Sequence, residues 1–110
     1  MAKINIDAIA GEILAEAAKQ GRDTWDRIQK SAPLYFRGYA QALADIALGV
    51  VKGEISTADA KIYTKNAQLM LVMSIANTSQ IVLFEVQSLI DKVLGILRAS
   101  INAALPVAIL

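Results

Sequence analysis

The chain of 110 residues contains no cysteine and no histidine. Without cysteine it has no disulfide framework and no thiolate ligands for a metal. Without histidine it lacks the commonest metal ligand and the commonest general base at neutral pH. We therefore expect a protein that is not an enzyme, with no catalytic residues, no metal site and no cofactor.

Proline and aromatic residues are also scarce, with two prolines and six aromatic side chains in the whole chain. The apolar share of 55% consists mostly of alanine, isoleucine and leucine. Alanine and leucine favour helices, and alanine-rich faces let helices approach one another closely. The composition predicts a single all-α domain over residues 1–110.

The chain also lacks an excess of charge of either sign, because its 11 basic residues nearly balance its 10 acidic ones. A net charge of +1 argues against nucleic acid as a partner, since nucleic-acid binding needs a basic surface. The charges are crowded into the N-terminal third, and residues 66–110 carry only four. This gradient predicts a solvated N-terminal third and a largely buried C-terminal half.

Two helical arms of similar length flank one clear turn. Arm one covers residues 5–52, with Asn5 as an N-cap and a break at 31–33 around Pro33. The turn covers 53–56, where Gly53 suits a left-handed C-cap and Ser56 has capping-box spacing. Arm two covers 57–105 and is weakened at 77–80. Pro106 begins an apolar tail, 106–110, which we expect to dock on a partner.

If the arms pair antiparallel about the turn, residue n faces residue 109 − n, and the two breaks lie side by side. The inter-arm ion pairs that follow are Glu12 with Arg98, Glu16 with Lys92, and Lys19 with Asp91. Glu85, a lone charge among apolar neighbours, should meet Arg22 or Arg27. The same pairing places Trp25 near Phe84 and Tyr39 near Met70, with Asp45 between Lys61 and Lys65.

The apolar side chains expected to pack between helices or between copies are spread over both arms. They are Trp25, Phe36, Tyr39, Met70, Met73, Phe84, Ile90, Leu94, Leu97 and Ile101. The polar residues expected to face a lumen or a seam between copies are Arg37, Gln41, Asp45, Asn77, Thr78, Ser79 and Gln80.

Two arrangements satisfy the pairing of the arms. In the favoured one, a long helical hairpin of about 70 Å is kinked near 31–33 and 77–80 and self-associates, because two helices bury too little alone. In the alternative, both arms fold back at the breaks into a compact four-helix bundle.

Three functions are compatible with this pattern. The leading hypothesis is a structural protein that self-assembles, packing many copies in a shell, tube or pore, as do small helical components of virions and injection machines. The second is a membrane-active pore former (holin-like or bacteriocin-like) or a lipid-coating protein, because residues 66–84 are uncharged. The third is a small bundle that acts as an adaptor for a protein partner.

These hypotheses share one expectation about partners and differ in location. We expect a homo-oligomer, with a membrane or a second protein as the alternative partner. The first apolar stretch is interrupted by Asp7 and Glu12, so we expect no signal peptide. The compartment stays open, with membrane association and location within an assembly both consistent with the sequence.

Overall fold

The computed structural model describes residues 4–110, which contain five α-helices. The helices are α1 (Ile6–Gln20), α2 (Arg22–Ile28), α3 (Ala32–Val51), α4 (Thr57–Ser79) and α5 (Leu83–Ala104). The described residues contain no strand, so the all-α prediction is confirmed.

Local signals place several helix ends. The side chain of Asn5 caps α1 by accepting a hydrogen bond of 3.0 Å from the backbone N–H of Ala8. Ser56 caps α4 in the same way, accepting one of 3.1 Å from the N–H of Asp59. Gly53 lies in the left-handed region, at φ 77°, where a side chain would be strained. These three caps and turns are as predicted.

Arm one has a second break that the sequence pattern does not predict. The first helix ends at Gln20, and Gly21 separates it from the short α2. A Cβ atom at Gly21 would lie 2.6 Å from the Cδ1 atom of Leu89 on α5. The glycine therefore permits a close approach between the first arm and α5.

The helices fold back on one another, so the compact bundle forms and the extended hairpin does not. The Cα atoms span 41 × 22 × 20 Å, well short of the 70 Å expected for a hairpin. Breaks form beside the predicted ones, at 29–31 instead of 31–33 and at 80–82 instead of 77–80, because Pro33 fits the first turn of α3 and residues 77–79 still belong to α4. Each break reverses the chain direction instead of kinking one long helix. Helix packing decides between these outcomes, because reversal lets both arms bury their apolar faces within one copy.

The neighbours in the bundle form a closed ring, in which α1 packs on α3 and α5, and α4 packs on the same two helices. The first arm runs antiparallel to α5, since Glu12 contacts Ser100 and Arg27 contacts Glu85. Along α3 and α4 the predicted facing rule holds, because Tyr39 and Met70 line one groove between them. The largest fully buried side chains include Phe36, Ile9, Ile13, Ile28, Leu43, Ile75, Ile90 and Ile101.

The C-terminal tail covers its own bundle. Leu105 and Ile109 are buried, so the expectation of a tail left for a partner is wrong. Asn102 holds the tail in place: its Oδ1 atom accepts hydrogen bonds from the N–H groups of Ile109 and Leu110, and its Nδ2 donates to the carbonyl of Leu110. A single asparagine therefore satisfies three backbone groups of a segment without secondary structure.

Candidate functional site

The predicted inter-arm ion pairs do not form within 4 Å. The salt bridges among residues 4–110 are Arg27–Glu85, at 3.1 Å, and Arg37–Asp7, at 2.9 Å. Glu12 instead accepts hydrogen bonds from the hydroxyl of Ser100. The arms are thus shifted relative to the predicted register.

The two remaining predicted pairs are absent for the same reason. Glu16 accepts a hydrogen bond from Gln20, one turn along α1, and makes no salt bridge with Lys92. Asp91 accepts a hydrogen bond of 2.6 Å from Gln68 of α4 and makes none with Lys19. Glu85, in contrast, meets Arg27, one of its two predicted partners, although both side chains are about half exposed.

The polar residues at 77–80 end α4 and tie it to α3. The hydroxyl of Thr78 lies 2.7 Å from that of Tyr35, and the hydroxyl of Ser79 lies 3.3 Å from that of Ser31. Gln80 is the left-handed C-cap of α4, and Asn77 is exposed. Within one copy this cluster thus ends α4 and joins it to α3, and Asn77, Thr78 and Gln80 stay exposed.

The second polar group lies on the surface of α3. The Nε atom of Arg37 donates to Asp7 of α1, and Gln41 donates to Asp45 within the helix. All three α3 side chains are exposed. Asp45 makes no salt bridge to Lys61 or Lys65, so this stripe is a solvated face of the single copy.

The ten predicted apolar packing residues divide into two groups. Phe36, Tyr39, Ile90, Leu94 and Ile101 are buried, and Trp25 and Leu97 are partly buried against the core. Trp25 stacks on Phe36, with ring centroids 6.3 Å apart, and not on Phe84. The remaining three, Met70, Met73 and Phe84, lie on the surface, with exposed fractions of 67%, 47% and 73%.

The outer side of α4 carries the longest row of exposed apolar side chains. Ile62, Leu69 and Met73 lie on one line along the helix with Asn66 between them, and Tyr63 and Met70 flank this line. We call these six residues the α4 stripe. All six are exposed, so the bundle leaves one whole side of α4 without apolar cover.

The opposite side of the same helix faces the core. Ala60, Thr64, Leu71 and Ile75 are buried there. Apolar residues on two opposite sides of a helix are typical of a helix that packs against other protein on both sides. Sequence reasoning missed Ile62 and Leu69, although the spacing of four, three and four residues from Ile62 to Met73 was the signal that could have found them.

A second exposed apolar patch lies where α4 turns into α5. Val82, Leu83 and Phe84 are consecutive and are 66%, 45% and 73% exposed. We call them the α4–α5 corner. Phe84 faces the cleft between α2 and α5, where Gly21 and Thr24 line the other wall. Phe84 thus faces the first arm, whereas Leu69 of the α4 stripe lines a different groove, with Gln87 of α5.

A groove of about 440 Å³ lies between α4, α5 and the tail. Lys61, Lys65 and Arg98 line it, with Asp91 as the one acidic side chain. The basic side chains are exposed, and Gln68 already bonds Asp91. Among residues 4–110 no three acidic side chains are grouped so as to hold a metal ion.

Tyr39 is the one buried side chain of the described residues whose polar atom has no hydrogen-bond partner. Burial raises the pKa of its hydroxyl well above the ordinary value of 10. The phenol therefore stays neutral and offers neither a base nor a nucleophile at neutral pH.

Two further findings bear on function. Over the described range, each helix is too short or too polar to span a lipid bilayer. Comparison with models of protein families, with curated proteins and with solved structures finds no match to this chain.

Proposed function

We propose that this protein is a structural component that assembles from many copies of itself, as a shell or a tube. The observation that carries the proposal is the α4 stripe, six exposed residues, five of them large and apolar, on a helix that is also apolar on its buried side. A contiguous exposed apolar face of this kind marks an interaction surface.

The size of the stripe bears on how such copies would associate. Fully burying one large apolar side chain stabilises by about 1.5–3 kcal/mol, and these side chains are already half buried in the single copy. Association costs about 4–15 kcal/mol of lost translational and rotational freedom. The stripe therefore favours a weak pair, and stable assembly needs a second contact.

The α4–α5 corner supplies that second contact. Val82, Leu83 and Phe84 are exposed, and Phe84 lines the cleft between α2 and α5, which no residue of the stripe lines. One self-complementary surface closes a dimer, whereas two different surfaces let pairs join into rings, shells or filaments. The presence of both favours an assembly of many copies over a closed dimer.

Light scattering after size exclusion, at protein concentrations from micromolar to millimolar and without detergent, tests this function. We expect a mass above that of one chain, rising with concentration, and regular particles in electron micrographs. A monomer that sediments with liposomes would favour a membrane-active protein instead. A monomer that does not would leave the adaptor hypothesis.

A further inference from the structure

We infer that the α4 stripe binds α4 of a second copy in antiparallel orientation, about a two-fold axis that passes between the levels of Asn66 and Leu69. This inference rests on the self-assembly proposed above and specifies one of its contacts. Three observations carry it: the spacing of the stripe, the distribution of charge along α4, and the position of Asn66.

The spacing of the stripe is the same in both directions. Ile62, Asn66, Leu69 and Met73 follow one another at intervals of four, three and four residues. If a second helix runs the opposite way, Ile62 meets Met73 of the other copy at both ends, and Asn66 meets Leu69 in the middle. A two-fold interface requires a surface that matches itself in this way. Intervals of three and four are those of helices that pack knobs into holes.

The charges of α4 favour antiparallel over parallel pairing. Asp59, Lys61 and Lys65 all lie in its first nine residues, and residues 66–79 carry no charge. Parallel pairing would set each lysine beside its own copy. In the antiparallel pair Lys61 is level with position 74, so the two Lys61 residues lie about 20 Å apart along the axis. The methylene stem of Lys65 then covers the exposed Met70 of the other copy.

Asn66 is the polar residue of the stripe and lies next to the axis. The two Asn66 residues are offset by three positions, or about 4.5 Å along the helix, so their amides can hydrogen-bond across the axis. A single asparagine in an apolar seam fixes register and the number of helices, at a cost in stability. Other registers would bury Asn66 against apolar side chains without a partner.

The absence of cysteine makes the geometry directly testable. Two variants of the full chain, Ile62→Cys and Met73→Cys, are oxidised separately and as an equimolar mixture. We expect the mixture to yield disulfide-linked dimers that join position 62 to position 73. Each variant alone should cross-link little, because its two thiols lie about 16 Å apart and a disulfide needs Cα atoms within about 7 Å.

A matched control measures cross-linking by collision. Ala15→Cys places a thiol on an exposed position of α1, away from α4. All replaced side chains are exposed, so the variants should keep the fold, which circular dichroism checks. The 62–73 product should exceed the Ala15→Cys product at least fivefold.

Each other outcome overturns the inference in a recognisable way. Efficient 62–62 and 73–73 products from the separate variants would show parallel pairing, and self-assembly would stand. Assembly by light scattering with no product above the control would mean that copies meet elsewhere, for instance at the α4–α5 corner. A monomer at every concentration would remove this inference and the proposed function together.

Discussion

At the scale of single residues, the buried hydroxyl of Tyr39 lowers the stability of the fold. Its side chain is 3% exposed, yet its hydroxyl has no hydrogen-bond partner among the described residues. An unsatisfied buried hydroxyl destabilises a fold by about 1–3 kcal/mol. Packing of the aromatic ring stabilises the fold, and the unpaired hydroxyl offsets part of that stabilisation.

Replacing Tyr39 with phenylalanine should therefore keep or raise the free energy of unfolding, by up to about 1 kcal/mol. Urea unfolding followed by circular dichroism measures this. A loss of stability of similar size would show that the hydroxyl has a partner.

The same residue makes stability depend on alkaline pH. The folded pKa is raised above the unfolded value of about 10, so the unfolded state loses its proton first as the pH rises. Stability that is complete below pH 10 should then fall as the pH rises above 10. Unfolding at a series of pH values measures the slope, and Tyr39→Phe should be less steep than the parent.

Asn102 is the residue on which the tail depends. Replacing it with alanine should leave three backbone groups of residues 109–110 without partners and destabilise the fold by about 1–3 kcal/mol. Limited proteolysis should then cleave after residue 105 first. Gln87→Ala, at an exposed position of the same helix, is the control and should change little.

At the scale of the helices, local sequence predicts caps better than it predicts packing. Asn5, Gly53 and Ser56 could be assigned because a cap depends on a few neighbouring residues. The break at Gly21 could not, because its reason is the distant Leu89.

The register of the arms likewise was predicted correctly between segments close in sequence and wrongly between distant ones. The rule 109 − n placed Tyr39 with Met70, across the short turn, but it failed for Glu12, which meets Ser100. Between the first arm and α5 the chain reverses at 29–31 and again at 80–82. A small error in the predicted position of each connection therefore adds to the error in the predicted register of these two segments. The candidate surface was only partly predicted, since Met70 and Met73 were named as packing residues whereas Ile62 and Leu69 were missed.

The cap of α4 gives a prediction at this scale. Ser56→Ala removes a bond to the N–H of Asp59 and should cost about 1 kcal/mol. Ser31 holds the same position in α3 but makes no capping bond. Its hydroxyl lies 3.3 Å from that of Ser79 and 3.5 Å from the carbonyl of Ile28, both long for a hydrogen bond, so Ser31→Ala should cost less. Thermal or urea unfolding measures both variants, and an equal loss of stability in the two would contradict the role of the Ser56 cap.

At the C-terminal end of α4, a substitution should raise the free energy of unfolding instead of lowering it. Gln80 adopts φ 54°, a left-handed conformation that favours glycine, so Gln80→Gly should stabilise by up to about 1 kcal/mol. Gln29 ends α2 at φ −60°, and Gln29→Gly should instead destabilise by about 0.5–1 kcal/mol. The difference between the two free energies of unfolding is the measured quantity.

At the scale of the whole molecule, one copy buries a core and still leaves two apolar surfaces uncovered. The hypothesis from sequence was that one copy could not cover its apolar faces, and it placed the surplus in an extended hairpin with a free tail. The bundle and its docked tail remove much of that surplus, and what remains is confined to the α4 stripe, Leu34 and other scattered positions, and the α4–α5 corner. The extent of the exposed apolar surface could not be predicted, because exposure depends on how the five helices pack against one another.

The mass of the protein in solution tests self-assembly through α4 most directly. Leu69 and Ile96 are 49% and 50% exposed, on α4 and α5, so Leu69→Glu and Ile96→Glu are matched changes. Light scattering should give the parent and Ile96→Glu masses that rise above 11.8 kDa with concentration, while Leu69→Glu associates at least tenfold more weakly. A parent protein that stays at 11.8 kDa up to millimolar concentration, or a Leu69→Glu variant that assembles like the parent, would contradict it.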